Sequence, residues 1–209
     1  EIDFLLRTAA NVLTRPPTQA DIRSAFAGLR PLIHPDNADG KNTAALSREH
    51  AILVSSSGLI TVAGGKWTTY RLMAEQVIDR ASEVAGLPAT PCPTRTLKLH
   101  GSPCQPINDA YGSDAPLLAA LSGYDKLLHP NLPYTEAMVR FAIRHEAART
   151  LEDVLARRTR ALFLDAAAAE KTIERIAGIF AEELQPSPER LAGMIDTARD
   201  SARRFRLDF

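Results

Sequence analysis

The residues best suited to chemistry lie in ITVAGGKWTTYR, residues 60–71. An apolar run ends on Gly64-Gly65, Lys66 follows, and a helical stripe begins near Thr68 or Thr69. Glycines at a strand-to-helix turn let the backbone approach a ligand closely, and the free N–H groups of a first helical turn attract negative charge. Lys66 adds an ammonium at the same point. Such turns also exist only to pack a helix against a sheet, so the motif alone leaves both readings open.

Two arginines extend the pattern. Arg30 lies within FAGLRPLI, where apolar neighbours make a charge costly unless an anion meets it. Arg48 opens the next β-rich run. Guanidinium forks bind phosphate oxygens bidentately and a lysine adds a point charge, so Arg30, Arg48 and Lys66 together suit a phosphate ester. The structural alternatives are an internal ion pair for Arg30 and an exposed strand start for Arg48, beside Glu49. His50 is a candidate general base by type and position, with an ordinary strand histidine as the alternative.

The elements that must position these groups follow from periodicity. Leu5, Leu6, Ala9, Ala10 and Leu13 predict a helix over 3–13, ended by Pro16-Pro17. Thr18 predicts the cap of a short helix whose first turn carries Asp21. Residues 25–33 read as a strand that Pro31 confines to an edge or an end, and 34–42 as a polar turn. AILVSS (51–56) and GLITVAGG (58–65), with Ser55-Ser56-Ser57-Gly58 between them, predict a tight hairpin. A helix follows, with one apolar stripe from Tyr70 through Met73, Val77 and Ala81 to Ala85, closed by Gly86.

From Leu87 to Pro106 five prolines mark an extended segment between domains. It holds Cys92 and Cys104, which read as unpaired thiols rather than a disulfide framework or zinc site. Beyond it the chain reads as helical. Thr135 and Thr150 begin two helices, and Asp165 and Ser187 suit the caps of stripes running from Ile173 to Leu184 and from Leu191 to Phe205. The predicted division is 1–86, a linker over 87–105, and a helical domain over 106–209.

Charge narrows the function classes. Twenty-five basic residues balance 25 acidic ones, so no overall field draws the chain to nucleic acid or an anionic membrane. Arg140, Arg144, Arg149, Arg157, Arg158 and Arg160 cluster, but Glu146, Glu152 and Asp153 lie among them and predict salt bridges across helix faces. His145, four residues after Phe141, reads as a packed histidine. No apolar run approaches the length of a spanning helix. The chain opens without Met, as a piece of something longer would.

FAGLRPL (26–32), SREH (47–50) and above all SGLITVAGGKWTTYRLMAE (57–75) resemble the FAD-dependent, aerobic-type glycerol-3-phosphate dehydrogenases. LHPNLPYTEAMVRFAIRHEAARTLEDVLARRTRALFLD (128–165) resembles the C-terminal helical domain of that family. The resemblance implies an α+β fold: the C-terminal part of an FAD- and substrate-binding domain, β-strands with packing helices, followed by an all-α domain. It implies that Gly64, Gly65, Lys66, Trp67 and Thr68 line the isoalloxazine end of FAD. Lys66 and Arg30 would be catalytic, and Arg30, Arg48 and Lys66 would hold the phosphate of glycerol 3-phosphate.

The reaction so implied is oxidation of glycerol 3-phosphate to dihydroxyacetone phosphate by hydride transfer to FAD, with electrons passing to quinone. The family's GxGxxG motif is absent from these residues, so the isolated chain is expected to be inactive. A glycerol-3-phosphate oxidase using oxygen and a non-catalytic, partner-binding helical module are the competing functions. The implied partners include a peripheral membrane contact and a homodimer, with no nucleic acid. The implied location is bacterial and cytoplasmic, at the inner face of the cytoplasmic membrane.

Overall fold

A computed structural model describes residues 1–29, 49–102 and 110–207. Among these the chain forms α1 (Ile2–Ala10), β1 (His50–Val54), β2 (Ile60–Gly64) and α2 (Tyr70–Val84). Six further helices follow: α3 (Ala115–Ala119), α4 (Glu136–His145), α5 (Ala161–Leu164), α6 (Ala166–Glu170), α7 (Ile173–Leu184) and α8 (Pro188–Arg204). A helical majority with one small sheet is the α+β composition expected. Among the described residues, no helix is long and apolar enough to cross a membrane.

The chain divides into two compact units, Gly28–His100 and a second made of Glu1–Ala27 with Gly101–Phe209. The sequence division placed residues 1–27 with the strands, whereas they pack with the helical unit. Backbone groups explain the difference. The Ala25 N–H donates to Phe205 O at 2.9 Å, and the Ala166 N–H donates to Ser24 Oγ at 2.9 Å and Arg23 O at 3.2 Å. Phe26 adds an edge-on contact with the Phe163 ring at 4.6 Å. The strand predicted over 25–33 is corrected by the same contacts. Residues 25–29 form no strand: the Ala25 N–H and the Phe26 ring go to the helical unit, and 30–33 lie outside the described residues.

In the unit Gly28–His100, β1 and β2 pair antiparallel with His50 opposite Gly64 and Val54 opposite Ile60. The Gly58 N–H reaches Ser55 O at 3.0 Å, and Gly58 takes φ +84°, a conformation that glycine enters at little cost. At the other end of α2, Gly86 (φ +65°) lets the Leu87 N–H reach Ser82 O and its own N–H reach Glu83 O. This paired closure satisfies carbonyls that the helix end would otherwise leave open.

The helical unit has the larger core. Val139 and Ile143 of α4, Ile173, Ile176 and Phe180 of α7, and Ala198 and Ala202 of α8 are buried together with Leu151, Leu155 and Leu162. Local caps set several helix starts. Thr135 Oγ1 accepts from the Met138 N–H, and Ser187 Oγ from the Arg190 N–H. The Thr150 and Asp153 side chains accept from each other's N–H groups, at 3.1 and 2.9 Å. Asp165 departs from expectation: it caps the short α6 through the Ala168 N–H at 2.8 Å, and α7 starts seven residues later from Thr172.

Between Thr150 and α5 the chain winds as a π-helical turn, Asp153–Arg158. The Thr159 N–H donates to Val154 O, and the Thr159 hydroxyl donates to the same carbonyl at 2.7 Å. Arg160 then takes a left-handed conformation, φ +59°, with its guanidinium 4.7 Å from the centre of the Phe163 ring.

Candidate functional site

The end of β2 and the start of α2 bring Gly64, Gly65, Lys66, Trp67 and Thr68 onto one turn. Gly64 and Gly65 have φ values of +74° and +88°, a left-handed pair that reverses the strand into the helix. A Cβ on Gly65 would lie 2.6 Å from Met73 Sδ and Cε and 3.2 Å from His50 Cβ. Gly65 is therefore wedged between α2 and β1, and part of the glycine requirement is packing. Sequence reading missed this role of Met73, whose place on the apolar stripe was the only available signal.

Lys66 returns to extended backbone (φ −132°, ψ 145°) and precedes a 3-10 turn, Trp67–Thr69, that runs into α2. The Lys66 carbonyl accepts from the Thr69 N–H and the Thr69 hydroxyl, each at 3.0 Å. Neither N-cap residue, Lys66 nor Thr69, caps this helix start with its side chain. Its first N–H groups meet no capping side chain among the described residues. Lys66 is exposed and has no carboxylate partner among the described residues. Trp67 and Tyr70 stack at 5.5 Å with 24° between their planes, and Trp67 is 85% exposed.

His50 is half-buried, opposite Gly64 across the hairpin, with its Cβ turned to Gly65. It borders the turn. Arg71, the last residue of the TTYR run, is committed elsewhere: it donates to Glu75 at 2.7 Å and to Thr94 Oγ1 at 3.1 Å. Arg95 approaches the same Glu75 at 3.8 Å, so these charges fasten the proline-rich segment to α2. A groove of about 660 Å³ between α2 and residues 87–94 lies on that other side, lined by Ala74, Ile78, Asp79 and Pro91. Cys92 is a free thiol there, 3.0 Å from Thr94 Oγ1. Arg30, Arg48 and Cys104 lie outside the described residues, as does the polar turn predicted over 34–42.

Within the arginine cluster of the helical unit, Arg140, Arg144 and Arg157 form ion pairs. Arg140 is buried and bonds Glu182 at 2.6 Å and Glu183 at 2.8 Å, while Arg144 reaches both oxygens of Glu183 at 2.7 Å. Hydrogen bonds from Arg144, and then from Arg140, hold the Glu183 carboxyl below the ordinary carboxylate range, against the opposing effect of burial. Arg157 pairs with Glu152 and Asp153. Arg149 and Arg158 donate to backbone carbonyls instead. His145 packs on Phe141 with ring centres 4.7 Å apart. Burial lifts the Glu146 carboxyl above its ordinary range; Asp114 adds to the shift, and Arg158 and His145 oppose it.

A left-handed diglycine turn and an exposed lysine, carried by a hairpin, precede a series of helices in this mixed α+β chain. Residues 58–191 match the family described as the C-terminal domain of alpha-glycerophosphate oxidase, and the chain belongs to that family. It is 35% identical over 230 residues to the probable mitochondrial glycerol-3-phosphate dehydrogenase of Caenorhabditis elegans, across 95% of this chain and 31% of that protein. It is 37% identical over 229 residues to the mitochondrial glycerol-3-phosphate dehydrogenase of Mesocricetus auratus, across 95% and 31%. Glycerol-3-phosphate dehydrogenase 1 of Mycobacterium bovis is 38% identical over 177 residues, across 77% and 34%. The chain spans about a third of the length of these curated relatives.

These relatives correct one expectation. The motifs implied a bacterial cytoplasmic location, but the worm and hamster proteins are named as mitochondrial. The physical reason is that the resemblance rests on a ligand-facing turn and a helical core. Neither carries an address, so neither separates one compartment from another.

Proposed function

We propose that this chain is the C-terminal part of an FAD-dependent dehydrogenase that oxidises sn-glycerol 3-phosphate to dihydroxyacetone phosphate. The observation that carries the reading is the uncapped diglycine-lysine turn, which lies inside the matched family region. The names of the relatives supply the substrate.

The turn suits the ring end of a flavin. Among the described residues its backbone N–H groups lack a side-chain cap, and the adjoining helix start favours negative charge. Gly64, Gly65, Lys66, Trp67 and Thr68 would hold that ring. Bound there, a flavin supplies the two-electron acceptor for a hydride leaving the substrate carbon. The contributions of the chain are positional and electrostatic. Helix-start donors favour an electron-rich ring edge, and Lys66 offers an ammonium to the phosphate or to an oxygen that gains charge. Arg30 and Arg48 would complete a phosphate clamp, with Arg30 and Lys66 acting in catalysis.

A quinone is the proposed acceptor, and a peripheral membrane contact and a homodimer are the proposed associations of the longer parent. The isolated chain, lacking a GxGxxG unit, is expected to be inactive. Oxygen is the second reading for the acceptor, because the matched family is described by an oxidase.

Anaerobic addition of glycerol 3-phosphate to the flavin-loaded parent should bleach the flavin, and Lys66→Ala should slow the bleaching at least tenfold. A parent that purifies without flavin, or whose flavin stays oxidised, would remove this assignment. Reoxidation by a quinone analogue compared with air then decides the acceptor.

A further inference from the structure

Residues 23–26 belong to no helix or strand, yet each of the four gives a group to the helical unit. The Arg23 guanidinium lies 3.8 Å from Asp165. The Ala166 N–H donates to Arg23 O at 3.2 Å and to Ser24 Oγ at 2.9 Å, and the Ala25 N–H donates to Phe205 O at 2.9 Å. The Phe26 ring completes an aromatic cluster. It meets Phe163 edge-on at 4.6 Å and Phe205 at 6.3 Å, and those two rings stand 4.9 Å apart. The Arg160 guanidinium lies over the Phe163 ring at 4.7 Å. An irregular segment has no ladder of its own, so bonds of this kind are what fix its place.

Arg30 follows Phe26 by four residues, a stretch that spans at most about 14 Å. Resting on the reading of Arg30 as a phosphate ligand, we propose that Phe26, Phe163 and Phe205 form a clamp by which the helical unit positions Arg30 for the phosphate of the substrate. The three rings are positioning residues that act through the chain between Phe26 and Arg30. A clamped segment has already lost freedom that phosphate would otherwise have to remove on binding, so the clamp is felt in affinity. Residues 101–209 hold none of the groups assigned to flavin or phosphate, and the clamp gives them a part in substrate binding.

Inorganic phosphate, titrated calorimetrically into the flavin-loaded parent, tests this without turnover. Phe163→Ala should raise the phosphate Kd about two- to tenfold, the range that an aromatic pair carries. Phe26→Leu is the second variant, because Phe26 is 66% exposed and its replacement leaves the helical core intact; it should shift the Kd in the same direction. Glu183→Ala is the control: it destabilises the helical unit through bonds to α4, away from residues 23–26, and should leave the Kd unchanged.

A Kd unmoved by both phenylalanine variants would overturn the proposal, as would a parent that binds no phosphate. An equal loss in Glu183→Ala would reduce the clamp to general stability and overturn it too. Each of these results can occur while glycerol 3-phosphate still bleaches the flavin of the parent, in which case the clamp alone falls and the dehydrogenase reading stands.

Discussion

Replacing Glu183 by alanine tests the account of the helical unit most directly. The Glu183 side chain is 10% exposed and is shared by Arg140, 11% exposed, and Arg144, 48% exposed. Removing it leaves the Arg140 guanidinium buried with Glu182 alone, and Arg140 Nε already lacks a partner among the described residues. Breaking a buried pair by deleting one member costs about 3–5 kcal/mol, and the surviving Glu182 contact lowers that here to about 2–4 kcal/mol. Glu182 is itself 64% exposed, so Glu182→Ala should cost under about 1 kcal/mol. Urea denaturation followed by far-ultraviolet dichroism measures both. Equal costs for the two variants, or a Glu183→Ala cost below about 1 kcal/mol, would refute the claim that burial rather than ion-pair count sets the energy.

Other expectations follow from the same geometry. Gly65→Ala should destabilise the turn by about 2–4 kcal/mol, combining a left-handed φ for a residue with a Cβ and the crowding by Met73 and His50. Met73→Ala should recover part of that, and additivity of the two changes in a double-mutant cycle read by Trp67 fluorescence would count against the wedge. Glu146 has a raised carboxyl pKa, so the folded state binds its proton more tightly than the unfolded state. Stability should therefore fall as pH rises from the ordinary carboxylate range through the raised value. Glu146→Gln should remove that slope, leaving little difference from the parent in acid and greater stability at neutral pH. Glu183 has the opposite sign: its contribution is full above the ordinary carboxylate pKa and should vanish as pH falls through the lowered one. A Glu183→Gln protein should lack that acid-side loss in a pH series of denaturation midpoints. Asp165→Ala removes the cap on α6 and the Arg23 contact, and should lower stability by about 1–2 kcal/mol in thermal denaturation.

What the sequence determined by itself is what neighbouring residues decide. Ser55 to Gly58 place the hairpin turn, Gly86 closes α2, and Thr18, Thr135, Thr150 and Ser187 mark helix starts, because each acts on backbone groups within about four residues. The diglycine-lysine turn was legible for the same reason, as was the interleaving of arginines and carboxylates after residue 136. Tertiary structure decided the rest. Ala25 and Ser24 spend their polar groups on Phe205 and Ala166, far away in sequence, so a stretch with β-like composition becomes a strap on the helical unit. Asp165 caps α6 rather than α7 because the chain inserts a separate short helix before Thr172. Arg140 and Glu183 stand 43 residues apart, and only the packing of α4 on α7 makes them partners. Local periodicity carries no term for such encounters; burial does, and burial is a property of the assembled chain.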